Sequence, residues 1–204
     1  MHGERFNGIS HLVGASLALV GATWLVVQAS LAGDPWRIVS FSIYGGALVL
    51  LYVLSTLYHS LRGRAKDVLR KLDHCSIYLL IAGSYTPFLL VSLRGNWGWT
   101  LFGVVWGLAL VGIVQEVWLA RGARIASLVI YLMMGWLALL VVSPLWQALG
   151  PFGFAGLLAG GACYTGGVVF YVNDERWQHG HGIWHLFVLA GSICHFLTVL
   201  LSLA

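Results

Sequence analysis

The sequence predicts an all-α, polytopic integral membrane protein with seven transmembrane helices, its N-terminus cytoplasmic and its C-terminus outside. Three observations carry that prediction. Hydrophobic residues make up 59% of the 204 residues and charged residues only 9%, against roughly 25% charged in a soluble domain. The apolar residues fall into runs of spanning length, about 20 residues each. The remaining charges lie between the runs and mostly on one side of them. So few charges could not cover a soluble protein of this size, and so apolar a chain is the opposite of a disordered one. Seven spans with short connections account for the whole length, so residues 1–204 read as a single seven-helix membrane domain.

The spans run in order over 9–31, 37–60, 72–93, 98–119, 124–147, 151–171 and 181–203. Turn-forming residues separate them: Gly33-Asp34-Pro35, Arg94-Gly95-Asn96, Arg121-Gly122-Ala123 and Gly150-Pro151. Asn173-Asp174-Glu175-Arg176 is the acidic-rich break. Helices are required because lipid satisfies no backbone hydrogen bonds, and the runs are too long and too evenly apolar for barrel strands. Pro87 is expected to kink the third span. Gly156 and Gly160 form a small-xxx-small pair suited to close packing within the bundle. The start, MHGERFNGISH, is polar and of mixed charge, and does not read as a cleavable signal peptide. Cys75, Cys163 and Cys194 lie in apolar runs, which is no disulfide framework.

The formal net charge is +4. Its placement points to topology and away from a nucleic-acid partner. An odd number of spans puts the termini on opposite sides. Arg5, Arg62, Arg64, Lys66, Arg70, Lys71, Arg121, Arg124 and Arg176 then share the N-terminal side, with only Arg37 and Arg94 on the other. The positive-inside rule makes the N-terminal side cytoplasmic. Tryptophans such as Trp24, Trp97, Trp118 and Trp146 mark the interfaces.

Ionisable residues inside a span are expensive and point to function. Here they gather at one depth. Glu4, Asn7 and His11 open span 1, and Ser55 and His59 close span 2. Asp73 and His74 open span 3, Gln115 and Glu116 close span 4, and His179, His181 and His185 open span 7. The outer half is nearly bare of such groups. His181 and His185 are four apart, so they share a helix face at about 6 Å. That spacing suits one metal ion, although Gly182 stands where a metalloprotease helix carries glutamate. Any general base must then come from another helix. Two interfacial histidines bonded to water or headgroups would leave the same trace. With His59 the set becomes three imidazoles, which is the ligand set of a catalytic zinc that keeps a water.

Asp73 is the candidate to orient that water or take its proton, or else an interfacial acid paired with Arg70 or Lys71. His11, Glu4 and Asn7 are candidates to orient the ligands from behind, or a helix cap. His195 lies about 15 Å beyond His185 at 1.5 Å per residue. It is therefore expected to cap a backbone carbonyl or line a polar cavity, not to bind the same metal. His2 and His179 are expected to face solvent.

Together Ser55-Thr-Leu-Tyr-His59, Leu72-Asp73-His74 leading to Ala82-Gly83-Ser84-Tyr85-Thr86-Pro87-Phe88, and His181-Gly-Ile-Trp-His185 running on to His195-Phe196 resemble the bacterial haemolysin III proteins, part of the progestin and adipoQ receptor family. Glu4, Asn7 and His11 match its N-terminal motif. The resemblance covers essentially the whole chain. It implies a zinc held at His59, His181 and His185, with Asp73 contacting the zinc-bound water. It also implies location in the bacterial inner membrane and a link to membrane homeostasis. Eukaryotic relatives are lipid-linked receptors with reported ceramide-hydrolase activity.

Three functions follow as expectations. The first is a zinc-dependent hydrolase of lipid amides or esters, with Asp73 activating water and Ser55 polarising a carbonyl or bonding a ligand. The second is a non-catalytic sensor or regulator of membrane state with structural zinc. The third is a cytolysin or channel, disfavoured because polar residues do not run through the full thickness of the bilayer. Membrane lipids are the expected partners, one of them a substrate. Nothing in the sequence specifies an oligomeric state.

Overall fold

A computed structural model of the chain describes residues 3–119 and 124–204. His2 and the break at 121–123 lie outside the described residues. Among the described residues there are helices and no strands. The α-helices are α1 (Glu4–Leu31), α2 (Pro35–Ser60), α3 (Arg64–Pro87), α4 (Asn96–Val114), α5 (Arg124–Gly135), α6 (Val142–Val172) and α7 (Gly180–Ser202). Wider π turns extend α3 over Phe88–Ser92 and α4 over Gln115–Leu119, and a 3-10 turn, Leu137–Val141, joins α5 to α6.

Local chemistry explains the ends. Asp34 caps α2 by accepting hydrogen bonds from the backbone of Trp36 and Arg37 at 2.9 and 3.3 Å. Pro35 takes the first helical position, where no N–H is needed. Pro87 cannot donate to the turn before it, and α3 passes there into its π turn. α1 starts at Glu4, five residues before the apolar run, and α3 starts at Arg64, eight before its run. Hydropathy registers where lipid begins, whereas helical hydrogen bonding continues into the charged segment.

Six helical stretches are long and apolar enough to cross a membrane among the described residues. Five are α1, α2, α3, α4 and α7 with their π extensions. The other, Ile125–Val172, has 48 residues and is compound. Gly150 breaks it with φ 63° and ψ −178°, a conformation open to glycine and costly to other residues. The stretch doubles back: the Trp136 indole donates to Thr165 at 3.1 Å, although a straight helix would separate them by about 44 Å.

The outer surface is apolar. Phe152 is 93% exposed, Leu201 80% and Leu31 79%, which makes sense only against lipid. Hydroxyls on that surface turn back on their own helix, as Ser16 does to Leu12 and Thr23 to Leu19. Inside, Phe41, Tyr44, Tyr52, Tyr78 and Leu25 are fully buried. The packing of α6 on α7 uses the glycine pair. A Cβ at Gly156 would run into Thr198 and one at Gly160 into His195, so those two glycines serve packing within the chain.

Candidate metal centre

Three helix ends meet at one depth: the start of α1, the end of α2 and the start of α7. They bring His59, His181 and His185 together. One ring nitrogen from each can be chosen so that all three lie within 4.8 Å of one another. Ring centroids are 5.2 Å apart for His59 and His181, 5.0 Å for His59 and His185, and 4.8 Å for His181 and His185. His59 and His185 are buried and His181 is half-buried. This buried three-histidine group could hold a metal ion.

The rings are oriented from behind. Nδ1 of His59 lies 2.8 Å from Glu4 Oε2. Nδ1 of His181 lies 2.9 Å from Asp174 Oδ2. Nδ1 of His185 lies 3.1 Å from the carbonyl oxygen of Asn7. A carbonyl or carboxylate oxygen only accepts, so each Nδ1 carries the proton and each Nε2 keeps its lone pair. Metal-binding histidines have this pattern, with the far nitrogen donating to an oxygen. Nε2 of His59 is buried without a hydrogen-bond partner. A cation would satisfy that nitrogen, so the donor set fits a metal.

The supports are themselves anchored. Glu4 also accepts from Lys66 at 3.0 Å. Ser10 donates to the Asn7 carbonyl at 2.9 Å, beside His185. His11 lies flat against His185, with centroids 3.6 Å apart and planes 13° apart. Both of its ring nitrogens are buried and unpartnered. Of the expected supports, Glu4 thus reaches a histidine by side chain, Asn7 by its backbone carbonyl, and His11 by stacking.

Gly182 has a packing reason. A Cβ there would strike the Phe6 ring and approach Asn7 Oδ1 at 3.0 Å. The position a metalloprotease gives to glutamate is here the contact of α7 with α1. Asp73 and Ser55 are buried and line the cavity beside His181 and His185. The Asp73 carboxylate lies within electrostatic reach of both Ser55 and His181. His74 turns to a different partner: its Nδ1 is 2.8 Å from Glu116 Oε1, and Ser127 donates to Glu116 Oε2 at 2.7 Å. His195 donates from Nε2 to the Leu157 carbonyl at 3.1 Å and also borders the cavity. His179 is exposed.

Asp174 was not anticipated from the sequence. Its signal was the acidic break between spans 6 and 7, seven residues before His181.

Comparison with known proteins adds to this geometry. A family model described as haemolysin-III related matches residues 1–196. Hemolysin-3 of Bacillus cereus is 44% identical over 198 residues, 97% of this chain and 90% of the relative. The Hemolysin-3 homolog of Bacillus subtilis is also 44% identical over 198 residues, with 97% and 92% covered. The human monocyte to macrophage differentiation factor is 31% identical over 189 residues, 89% of this chain and 76% of the relative.

Proposed function

The chain belongs to the haemolysin-III-related family, and from that premise we propose a zinc-holding membrane protein that hydrolyses lipid amides or esters in membrane homeostasis. One observation carries the reading: one ring nitrogen from each of three histidines comes within 4.8 Å of the others, and every Nδ1 has an oxygen partner. His59, His181 and His185 would hold the metal, and three imidazoles are the ligand set of a catalytic zinc. Imidazole sets of this kind suit zinc, although other divalent transition metals bind nitrogen as well. Zinc supplies Lewis acidity, which lowers the pKa of water to about 7. Asp73 orients the attacking water and accepts its proton. Ser55 donates a hydrogen bond to the carbonyl under attack. The cavity below the histidines receives the apolar part of the lipid.

The same reading makes residues 1–204 one membrane domain that crosses the bilayer seven times. The reversal at Gly150 and the Trp136–Thr165 bond support two crossings within Ile125–Val172. The basic residues at the histidine end favour a cytoplasmic N-terminus in a bacterial inner membrane.

Elemental analysis of the purified protein tests the metal, and turnover of bilayer lipids by wild type and Asp73→Asn tests the chemistry. The expected result is zinc in both and turnover in wild type, reduced about 10²–10⁴-fold in the variant. Metal-loaded wild type that turns over no lipid overturns the hydrolase. A second reading has its own support: the ligands come from α2 and α7 and are backed from α1, so a metal there ties three helices together. A non-catalytic sensor with structural zinc would retain its membrane phenotype in Asp73→Asn.

A further inference from the structure

Two cavities meet inside the bundle. The one at the histidines leaves about 120 Å³ open to the centres of water-sized molecules, and the second about 50 Å³. Both exceed the ~10–15 Å³ that one water needs on that measure. Six residues line both and make the ring between them: Ser84, Tyr85, Gly135, Trp136, Gly161 and His195. The ring lies about 15 Å below the metal centre, since His195 follows His185 by ten residues on α7. Beyond it the walls are apolar, with Phe88, Leu89, Leu145 and Phe154 among them.

The hydrogen-bond donors of the ring are each held by a fixed partner. Ser84 donates to the Ile81 carbonyl at 2.8 Å. Tyr85 donates to the Gly135 carbonyl at 2.8 Å and accepts from the Ala138 amide at 2.9 Å, satisfying both groups freed where α5 ends. Trp136 donates to Thr165 and His195 donates to Leu157, and the other His195 nitrogen, Nδ1, is buried without a hydrogen-bond partner. A charged or heavily hydrated group passing here would lose its water and gain one acceptor at most, His195 Nδ1, whereas a hydrocarbon loses nothing. Gly161 is the open side: a Cβ there meets only Trp136 Cη2, at 3.9 Å.

We propose that this ring selects chain length: a lipid whose polar end lies at the histidines threads its acyl tail between Trp136 and Gly161 into the second chamber. The proposal rests on the lipid reading above and assigns the specificity of that site to Gly161 and Trp136. A tail that ends above the ring leaves the second chamber unused, and a longer one buries further methylenes in it. A side chain larger than methyl at residue 161 closes the passage.

The test uses the full chain in lipid nanodiscs, with saturated fatty acids as probes of the tail and native mass spectrometry as readout. Wild type is expected to bind palmitic acid well above octanoic acid. Gly161→Leu is expected to weaken palmitic acid on the order of tenfold or more, because each excluded methylene forfeits its burial, and to leave octanoic acid and metal content unchanged. Gly161→Ala keeps the wild-type preference. Should Gly161→Leu fail to fold, Trp136→Leu carries the test in the opposite direction, raising affinity for chains longer than palmitic. Wild type that binds neither acid overturns the lipid reading and the ring together. Binding of both acids with the same length preference in wild type, Gly161→Leu and Trp136→Leu overturns the ring alone.

Discussion

The two ends of the cavity handle polar atoms in opposite ways. At the mouth, Nε2 of His59 is buried with no partner, and every Nδ1 of the three-histidine group is held from outside. At the ring the donors of Tyr85, Trp136 and His195 are satisfied by neighbouring helices, and one acceptor, His195 Nδ1, is buried without a partner. Both arrangements use imidazoles and aromatic rings, so residue type does not separate them. The difference is number: three imidazoles come together at the mouth, whereas His195 is the one imidazole of the ring. Imidazole nitrogens brought within 4.8 Å of one another invite a cation, whereas a lone unpartnered nitrogen among satisfied donors and apolar walls favours hydrocarbon.

The largest break in this contrast comes from the mouth. His185→Ala removes one of three ligands and is expected to take metal content from stoichiometric to background, measured by elemental analysis after purification without added zinc. Metal retained at the wild-type level would show that the histidines are not its ligands. The next effect comes from behind the ring. Glu4→Ala deprives His59 Nδ1 of its acceptor, and loss of such an outer partner weakens metal affinity about 10–100-fold. Competition with a chelator measures it, and equal affinities would remove Glu4 from the site. Gly182→Ala is expected to destabilise the protein by roughly 1–3 kcal/mol, because the new methyl must displace Phe6. Denaturant unfolding reads it, and unchanged stability would show that α1 yields easily there.

Much of the mouth was legible in the sequence, and the ring was not. His59, His181 and His185 stand out because ionisable residues in apolar runs are rare, and lipid confines them to one level. Their meeting needed only antiparallel neighbours and equal depth. Asp174 was less visible, since a residue on a turn has no helical phase that says where it points. Gly182 announced the missing glutamate but not Phe6, which is a matter of contact between distant helices. The ring depends on Trp136 and on the break between Gly135 and Leu137. That break lies inside the unbroken apolar run 124–147, where hydropathy carries no signal. Its cause is tertiary: Tyr85, fifty residues earlier, satisfies the backbone that the break exposes.

The smallest expected effect tests whether the ring is held as rigidly as the mouth. Thr165→Val keeps the size of the side chain and removes the acceptor of the Trp136 indole. Interhelical hydrogen bonds within membranes average about 0.6 kcal/mol and reach about 1.7, so the loss of stability should fall in that range. Metal content should not move, because the hydrogen bond of Thr165 goes to Trp136 and not to the three histidines. The indole, once free, has two outcomes that differ in sign. If it swings into the passage, palmitic acid binding falls as in Gly161→Leu. If it stays, held by packing alone, the length preference survives with lower stability. Native mass spectrometry beside denaturant unfolding separates these, and a fall in metal content would show that the mouth and the ring are one coupled unit.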